Sequence, residues 1–142
     1  MPESRTLRAA QNEAVLPRAR EARSLLTVAD FVIREWDLAP YPGDQAPPHV
    51  HHGSDEAFYV LEGELEVLEG EERRILAAGE LAYIPAGTVH TFANRGPGQT
   101  RVLVVMTQEV ANLIAALHGE PGTDRDAIWA RYNASVVPAP ER

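Results

Sequence analysis

Apolar and polar residues alternate in short segments through most of the chain, from residue 25 to residue 106. In the segment GELEVL, Leu65 lies between two glutamates and is followed after one residue by Val67. Such alternation is expected of a strand with one buried face. Comparable segments recur about every 8 to 12 residues and are separated by turns, a spacing typical of an all-β sandwich or barrel.

The apolar pattern takes on a helical period in the last quarter of the chain. The apolar residues of EVANLIAALHG share one helix face: Val110, Leu113, Ile114 and Leu117. This helix is predicted to end at Gly119. A second short helix is predicted to begin at Thr123, where Asp126 completes a capping-box pattern. We expect both helices to cover an open face or edge of the β unit, and Trp129 and Tyr132 to serve packing.

The length of 142 residues predicts a single domain with one hydrophobic core. We expect residues 1–24 to form an N-terminal arm that packs on the domain or on a partner subunit. Residues 25–107 are predicted to form the β-barrel, and residues 108–142 the C-terminal helices and tail of the same domain.

The composition excludes several classes of function. The net charge of -8 opposes binding to nucleic acid and to anionic membranes. No apolar run approaches the roughly 18 to 20 residues of a membrane span, and the start lacks the apolar stretch of a secretory signal, so we expect a soluble cytoplasmic protein. All 13 basic residues are arginine and cysteine is absent, which leaves imidazole and carboxylate as the strong metal ligands.

Three of the five histidines fall within the stretch HVHH. In a strand, His49 and His51 share one face at about 7 Å, close enough to bind one metal ion, whereas His52 points away. Glu56 is seven residues after His49. The chain must therefore turn between them, and HGSD is a plausible turn, before Glu56 can face the same point.

A fourth candidate ligand, His90, follows the proline and glycine corner in GELAYIPAGTVHTFAN. Three imidazoles and one carboxylate would bind a divalent transition ion and leave positions open for water, oxygen or substrate. His118 stands at the end of the first predicted helix, where a cation meets the helix dipole favourably, so capping is preferred to catalysis there.

These residues resemble the motifs of the cupin family. The first motif is matched by Gly43, His49, His51, Glu56 and Gly63, and the second by Gly79, Pro85, Gly87, His90 and Asn94. The resemblance implies a single cupin-type jelly-roll β-barrel, with one metal ion held inside by the three histidines and the glutamate. It also implies a homodimer. The glycines and the proline have a structural interpretation, because a barrel of short strands needs tight corners.

Six residues could line a pocket above the metal, although core packing is the simpler interpretation for each: Phe31, Trp36, Tyr41, Phe58, Phe92 and Met106. Together they favour an apolar or aromatic small-molecule substrate over a sugar phosphate, which would call for inward-facing basic residues. The basic candidates named from the sequence are Arg34, Arg95 and Arg101.

The resemblance implies a metal-dependent enzyme, most similar to the quercetin dioxygenase-like bacterial cupins. The cofactor is expected to be one divalent ion per chain, Fe, Mn, Ni, Cu or Zn, and Glu56 either ligates it or takes a catalytic role by accepting a substrate proton. Two alternatives stay open. The ion could act as a Lewis acid in isomerisation, decarboxylation or hydrolysis, or the barrel could bind a small ligand without catalysis.

Overall fold

The computed structural model describes residues 14–16 and 20–138. Strands and helices follow one another in that part of the chain as β1 (Ala14–Leu16), β2 (Arg20–Thr27), β3 (Val32–Leu38), β4 (His49–His51), β5 (Glu56–Glu62), β6 (Glu64–Glu69), β7 (Glu72–Ala77), β8 (Leu81–Ile84), β9 (His90–Ala93), β10 (Thr100–Met106), α1 (Gln108–Gly119), α2 (Arg125–Arg131) and β11 (Ala134–Val136). One antiparallel sheet has the order β1-β2-β3-β10-β5-β8 and the other β11-β4-β9-β6-β7. The predicted all-β jelly roll with C-terminal helices is confirmed.

The hydrophobic core lies between the two sheets because alternate side chains of their strands point inward. In β10, Val102, Val104 and Met106 are buried, while the residues between them are partly exposed. In β6, Leu65 and Val67 are fully buried, as the alternation in the sequence predicted. The core is continuous with α1 through Val110, so the first C-terminal helix packs against the barrel.

The sheet extends further towards the N-terminus than the apolar pattern indicated. The barrel was expected from Leu25, but β2 begins at Arg20 and pairs with β3. The polar Arg23 fits the sheet because its guanidinium lies 2.7 Å from the Glu35 carboxylate and 2.9 Å from that of Asp37. These ion pairs across the strands hold one face of β2 on the sheet, while Ala22 packs against the hydrophobic core. Most of the predicted N-terminal arm, residues 1–13 and 17–19, lies outside the described residues.

Helix α1 ends at Gly119 as predicted, but the second helix begins later than expected. Its N-cap is Asp124, whose carboxylate accepts a hydrogen bond from the Asp126 N–H at 3.0 Å, and not Thr123. The Thr123 hydroxyl instead donates to the Glu120 carboxylate. Neither described helix is long and apolar enough to cross a membrane.

Within the predicted C-terminal helices and tail, residues 134–136 form a strand. Asn133, at φ 58°, interrupts the helix, and β11 then pairs with β4. Its register places Ala134 opposite His51 and Val136 opposite His49. The C-terminal segment is therefore attached directly to the strand that carries two of the candidate metal ligands.

Candidate metal centre

The structure brings all four predicted ligands together inside the barrel. His49 and His51 lie on β4, Glu56 begins β5 and His90 begins β9. One ligand atom from each lies within 4.8 Å of every other, and all four residues are at least 94% buried. Atoms bound to one ion at about 2.1 Å are at most about 4.2 Å apart, so a small inward movement would complete the coordination.

Strand pairing and a tight turn bring these ligands to one point. His49 pairs directly with His90 across β4 and β9. The chain turns between His51 and Glu56, as the odd spacing required. That turn is anchored to α1, because the buried Ser54 hydroxyl donates to Glu109 at 3.1 Å and accepts from Thr107 at 2.8 Å. The helix therefore supports the loop that joins two of the ligands.

Hydrogen bonds orient two of the imidazole rings. His49 Nδ1 lies 2.7 Å from the Pro47 carbonyl and His90 Nδ1 lies 3.0 Å from the Thr88 carbonyl. A carbonyl can only accept, so the proton is assigned to Nδ1 in each ring. Nε2 is then left with its lone pair towards the centre, the arrangement that metal-bound histidines usually show.

The remaining polar atoms at the centre lack hydrogen-bond partners. These buried atoms are Glu56 Oε1, His90 Nε2 and both ring nitrogens of His51. His51 Nε2 lies 2.8 Å and His90 Nε2 3.6 Å from Glu56 Oε1, but at these positions neither contact has the geometry of a hydrogen bond. Buried polar atoms are rarely left unpaired, and a divalent ion would satisfy this set, so the residues fit a metal.

The electrostatics of the cluster also suit a cation. Burial would raise the pKa of Glu56, but without a metal ion a ring proton of His51 or His90 that faces Glu56 favours the carboxylate, and this effect outweighs burial and lowers that pKa to about 2. A bound cation would take the place of that proton. Burial, together with the neighbouring His90 and His51, lowers the pKa of His49 to about 3. The carboxylate is thus ionised and His49 is neutral near pH 7, which are the forms that bind metals.

A cavity of about 430 Å³ opens above the four ligands. Its lining includes Trp36, Phe58 and Phe92, three of the six residues that the sequence suggested. The other three do not line it: Phe31, Tyr41 and Met106. Met106 is buried in the core and Phe31 is 38% exposed. A cavity of this size is within the range of small-molecule sites, about 300 to 1,000 Å³.

The C-terminal helices contribute more to this cavity than the sequence indicated. The buried Trp129 was expected only to pack, yet its ring lies 4.9 Å from that of His49 and lines the cavity. His118 and Arg125 line it as well. No local signal in the sequence shows this, because their approach depends on how α1 and α2 dock on the barrel.

The remaining candidates lie away from the cavity. His52 is exposed and its ring bonds to the Ser135 hydroxyl at 2.9 Å, so the predicted outward direction is confirmed. Arg95 binds Asp44 and Glu66, and Arg101 binds the Asp37 carboxylate. These two arginines are thus held by ion pairs outside the cavity.

Comparison with known proteins identifies the central part of the chain. Residues 39–106 match the family described as "Cupin domain". The chain is 38% identical over 79 residues to quercetin 2,3-dioxygenase of Bacillus subtilis. This match covers 56% of this chain and 23% of that enzyme. The likeness is therefore confined to a part of the dioxygenase.

Two solved structures have a similar fold. The crystal structure of TT1209 from Thermus thermophilus is 32% identical, with a TM-score of 0.59, over 68% of this chain and 90% of that one. A sugar phosphate isomerase of the cupin superfamily from Silicibacter pomeroyi is 28% identical, with a TM-score of 0.54, over 61% of this chain and 59% of that one.

Proposed function

The chain belongs to the cupin family, and on that premise we propose that it is a metal-dependent enzyme that oxidises a small organic molecule with dioxygen. One divalent transition ion would be held by His49, His51, Glu56 and His90. The observation that carries the proposal is the buried set of three imidazoles and one carboxylate beneath a cavity of about 430 Å³. The similarity to part of a quercetin 2,3-dioxygenase favours oxygen chemistry.

Different residues would bind the substrate and accept its proton in this reaction. When bound, a redox-active ion would supply adjacent open coordination positions and one-electron chemistry. Trp36, Phe58 and Phe92 would hold an apolar or aromatic substrate and exclude water. The ionised Glu56 carboxylate, beside the open space, would accept the hydroxyl proton of an enol or catechol. Both atoms of dioxygen would enter the product, so no external reductant is needed.

Metal content and oxygen uptake test this proposal. Protein purified from its native host is expected to contain about one Fe, Mn, Ni or Cu ion per chain, and a His49→Ala/His90→Ala variant to contain none. The metal-loaded protein is expected to consume oxygen with at least one member of a panel of enols and catechols. An absence of oxygen uptake across that panel would count against the dioxygenase assignment.

A second function uses the same ion as a Lewis acid for isomerisation or decarboxylation without oxygen. The similarity to the Silicibacter pomeroyi isomerase and the presence of Arg125 in the cavity favour it. Zinc as the native ion would support this alternative, because zinc has no redox chemistry. A protein that binds no metal even after reconstitution would instead fit a ligand-binding barrel without catalysis.

We also propose that the protein acts in the cytoplasm as a homodimer, which cell fractionation and sedimentation would test. Four exposed apolar residues form an outer patch on β5 and the edge strand β8: Tyr59, Leu61, Leu81 and Tyr83. Such a patch at a sheet edge is suited to a second copy of the chain.

Sedimentation at micromolar concentration is expected to show a dimer that a Leu81→Asp/Tyr83→Asp variant loses, because two charges would be desolvated in the interface. The matched control is Ile75→Asp, which is as exposed as Leu81 but lies on the other sheet. A wild-type protein that sediments only as a monomer would contradict the dimer.

A further inference from the structure

The cavity above the metal centre changes in chemistry from its floor to its rim. The floor is formed by the four polar ligands, and one wall by apolar residues of α1 and α2, among them Leu113, Ile114 and Trp129. His118, Arg125 and Asp126 also line the cavity and are exposed, so they stand where it meets solvent. A molecule that fills this space meets polar groups at both ends and an apolar surface between them.

Arg125 is the one arginine among the described residues that lines the cavity. Arg34, on β3, also forms no ion pair with a described acidic side chain, but it does not line the cavity. Six arginines lie within 4.0 Å of a carboxylate oxygen: Arg23, Arg73, Arg74, Arg95, Arg101 and Arg131. Among side chains that the structure describes, no such ion pair is formed by Arg125, although Asp126 follows it directly. Its Nη1 donates instead to the Leu117 carbonyl at 2.7 Å.

This hydrogen bond holds the guanidinium between the two helices that form the cavity wall. A guanidinium has five N–H donors in a planar fork, and the bond to Leu117 uses one group. The donors that remain match the two oxygens of a carboxylate. In a chain with a net charge of -8, an arginine without a counter-ion at the rim of the cavity is a specific point of attraction for an anion.

From this arrangement we infer that the substrate is an amphipathic carboxylic acid whose carboxylate binds Arg125, whose apolar body lies against α1 and Trp129, and whose other end meets the metal ligands. A carboxylate is preferred to a phosphate because the cavity is lined by one arginine and lysine is absent from the chain. The orientation towards the metal rests on the proposed function. The recognition by Arg125 does not.

Calorimetry with a matched series of ligands tests the inference. The probes are dihydrocaffeate, which is a catechol with a carboxylate side chain, its primary amide, and a phosphate monoester of similar size. They are titrated into zinc-loaded protein, where no turnover occurs, and into metal-free protein. Both tryptophans of the chain, Trp36 and Trp129, line the cavity, so quenching of their fluorescence gives a second measure of binding.

The wild type is expected to bind dihydrocaffeate about tenfold more tightly than the amide, the amount expected of a charge-assisted hydrogen bond. Arg125→Gln is expected to lose this preference, and Arg125→Lys to restore part of it. The matched control is Arg131→Gln, on the same helix but paired with Glu120 outside the cavity, which should keep the preference. Thermal denaturation of each variant checks that the helix remains folded.

Three results would overturn the inference: equal affinity for carboxylate and amide in the wild type, a preference that persists in Arg125→Gln, or tighter binding of the phosphate monoester. The comparison of the two protein forms separates this inference from the proposed function. A carboxylate preference in protein that binds no metal would support Arg125 and reject the metal enzyme. Metal binding without a carboxylate preference would support the metal site and reject the role of Arg125.

Discussion

The His51→Ala variant is expected to lose the metal, and the His52→Ala variant to keep it. The two histidines are adjacent in the sequence, but β4 directs the first into the barrel and the chain turns the second outward. His51 is buried and its Nε2 lies 2.8 Å from Glu56 Oε1. His52 is exposed and bonds to Ser135 on β11. A substitution at either site removes one imidazole. The comparison therefore distinguishes the loss of a metal ligand from the loss of any histidine.

We expect the dissociation constant for zinc to rise more than 100-fold in His51→Ala and less than threefold in His52→Ala. Loss of a group that merely supports a ligand costs about 10- to 100-fold, and loss of the ligand itself should cost more. Competition with a chelator measures both constants. At a zinc concentration 100 times the wild-type constant, the metal should stabilise the wild type by about 2.7 kcal/mol, His52→Ala by at least about 2 kcal/mol, and His51→Ala by less than about 0.5 kcal/mol. Equal affinities in the two variants would place the metal elsewhere.

The contrast between these two histidines also shows why the centre could be predicted from sequence. His49, His51 and Glu56 are close together in the sequence and are separated by a single short turn. Strand alternation and that turn therefore fix the directions of their side chains. His90 was placed by the resemblance to the cupins. The motif glycines could also be predicted from sequence, because each was assigned to a tight turn between strands. Gly63, for example, adopts φ 76° between β5 and β6, where the backbone of Gln99 and Thr100 leaves no space for a side chain.

The cavity wall could not be predicted because it depends on packing between distant segments. Trp129 reaches His49, 80 residues earlier in the chain, only because β11 pairs with β4 and draws α2 over the barrel. A pattern of apolar residues shows that a helix has a buried face, but not what that face covers. The early start of β2 was missed for a similar reason. Its buried Arg23 forms ion pairs across the strands with Glu35 and Asp37, and a search for alternating apolar residues does not detect such pairs.

Glu56→Gln is expected to reduce turnover of the proposed oxidation at least 100-fold, even when the metal site is saturated. The substitution keeps the shape of the side chain and one oxygen that can bind the ion, but removes the negative charge. The wild-type carboxylate can accept a proton, whereas the neutral amide of glutamine cannot. General-base catalysis of this kind contributes about 10²- to 10⁴-fold.

The metal content of the same variant distinguishes the two roles of Glu56. Three imidazoles and one amide oxygen remain in Glu56→Gln, so saturating metal should restore full occupancy, although the dissociation constant should be higher than that of the wild type. Turnover that stays low at full occupancy assigns the proton-accepting role, whereas full recovery of turnover would reduce Glu56 to a ligand. The matched control is Glu62→Gln at the exposed end of the same strand, which should change neither quantity. The negative charge of Glu56, in addition to the metal that Glu56 helps to hold, would then account for the rate.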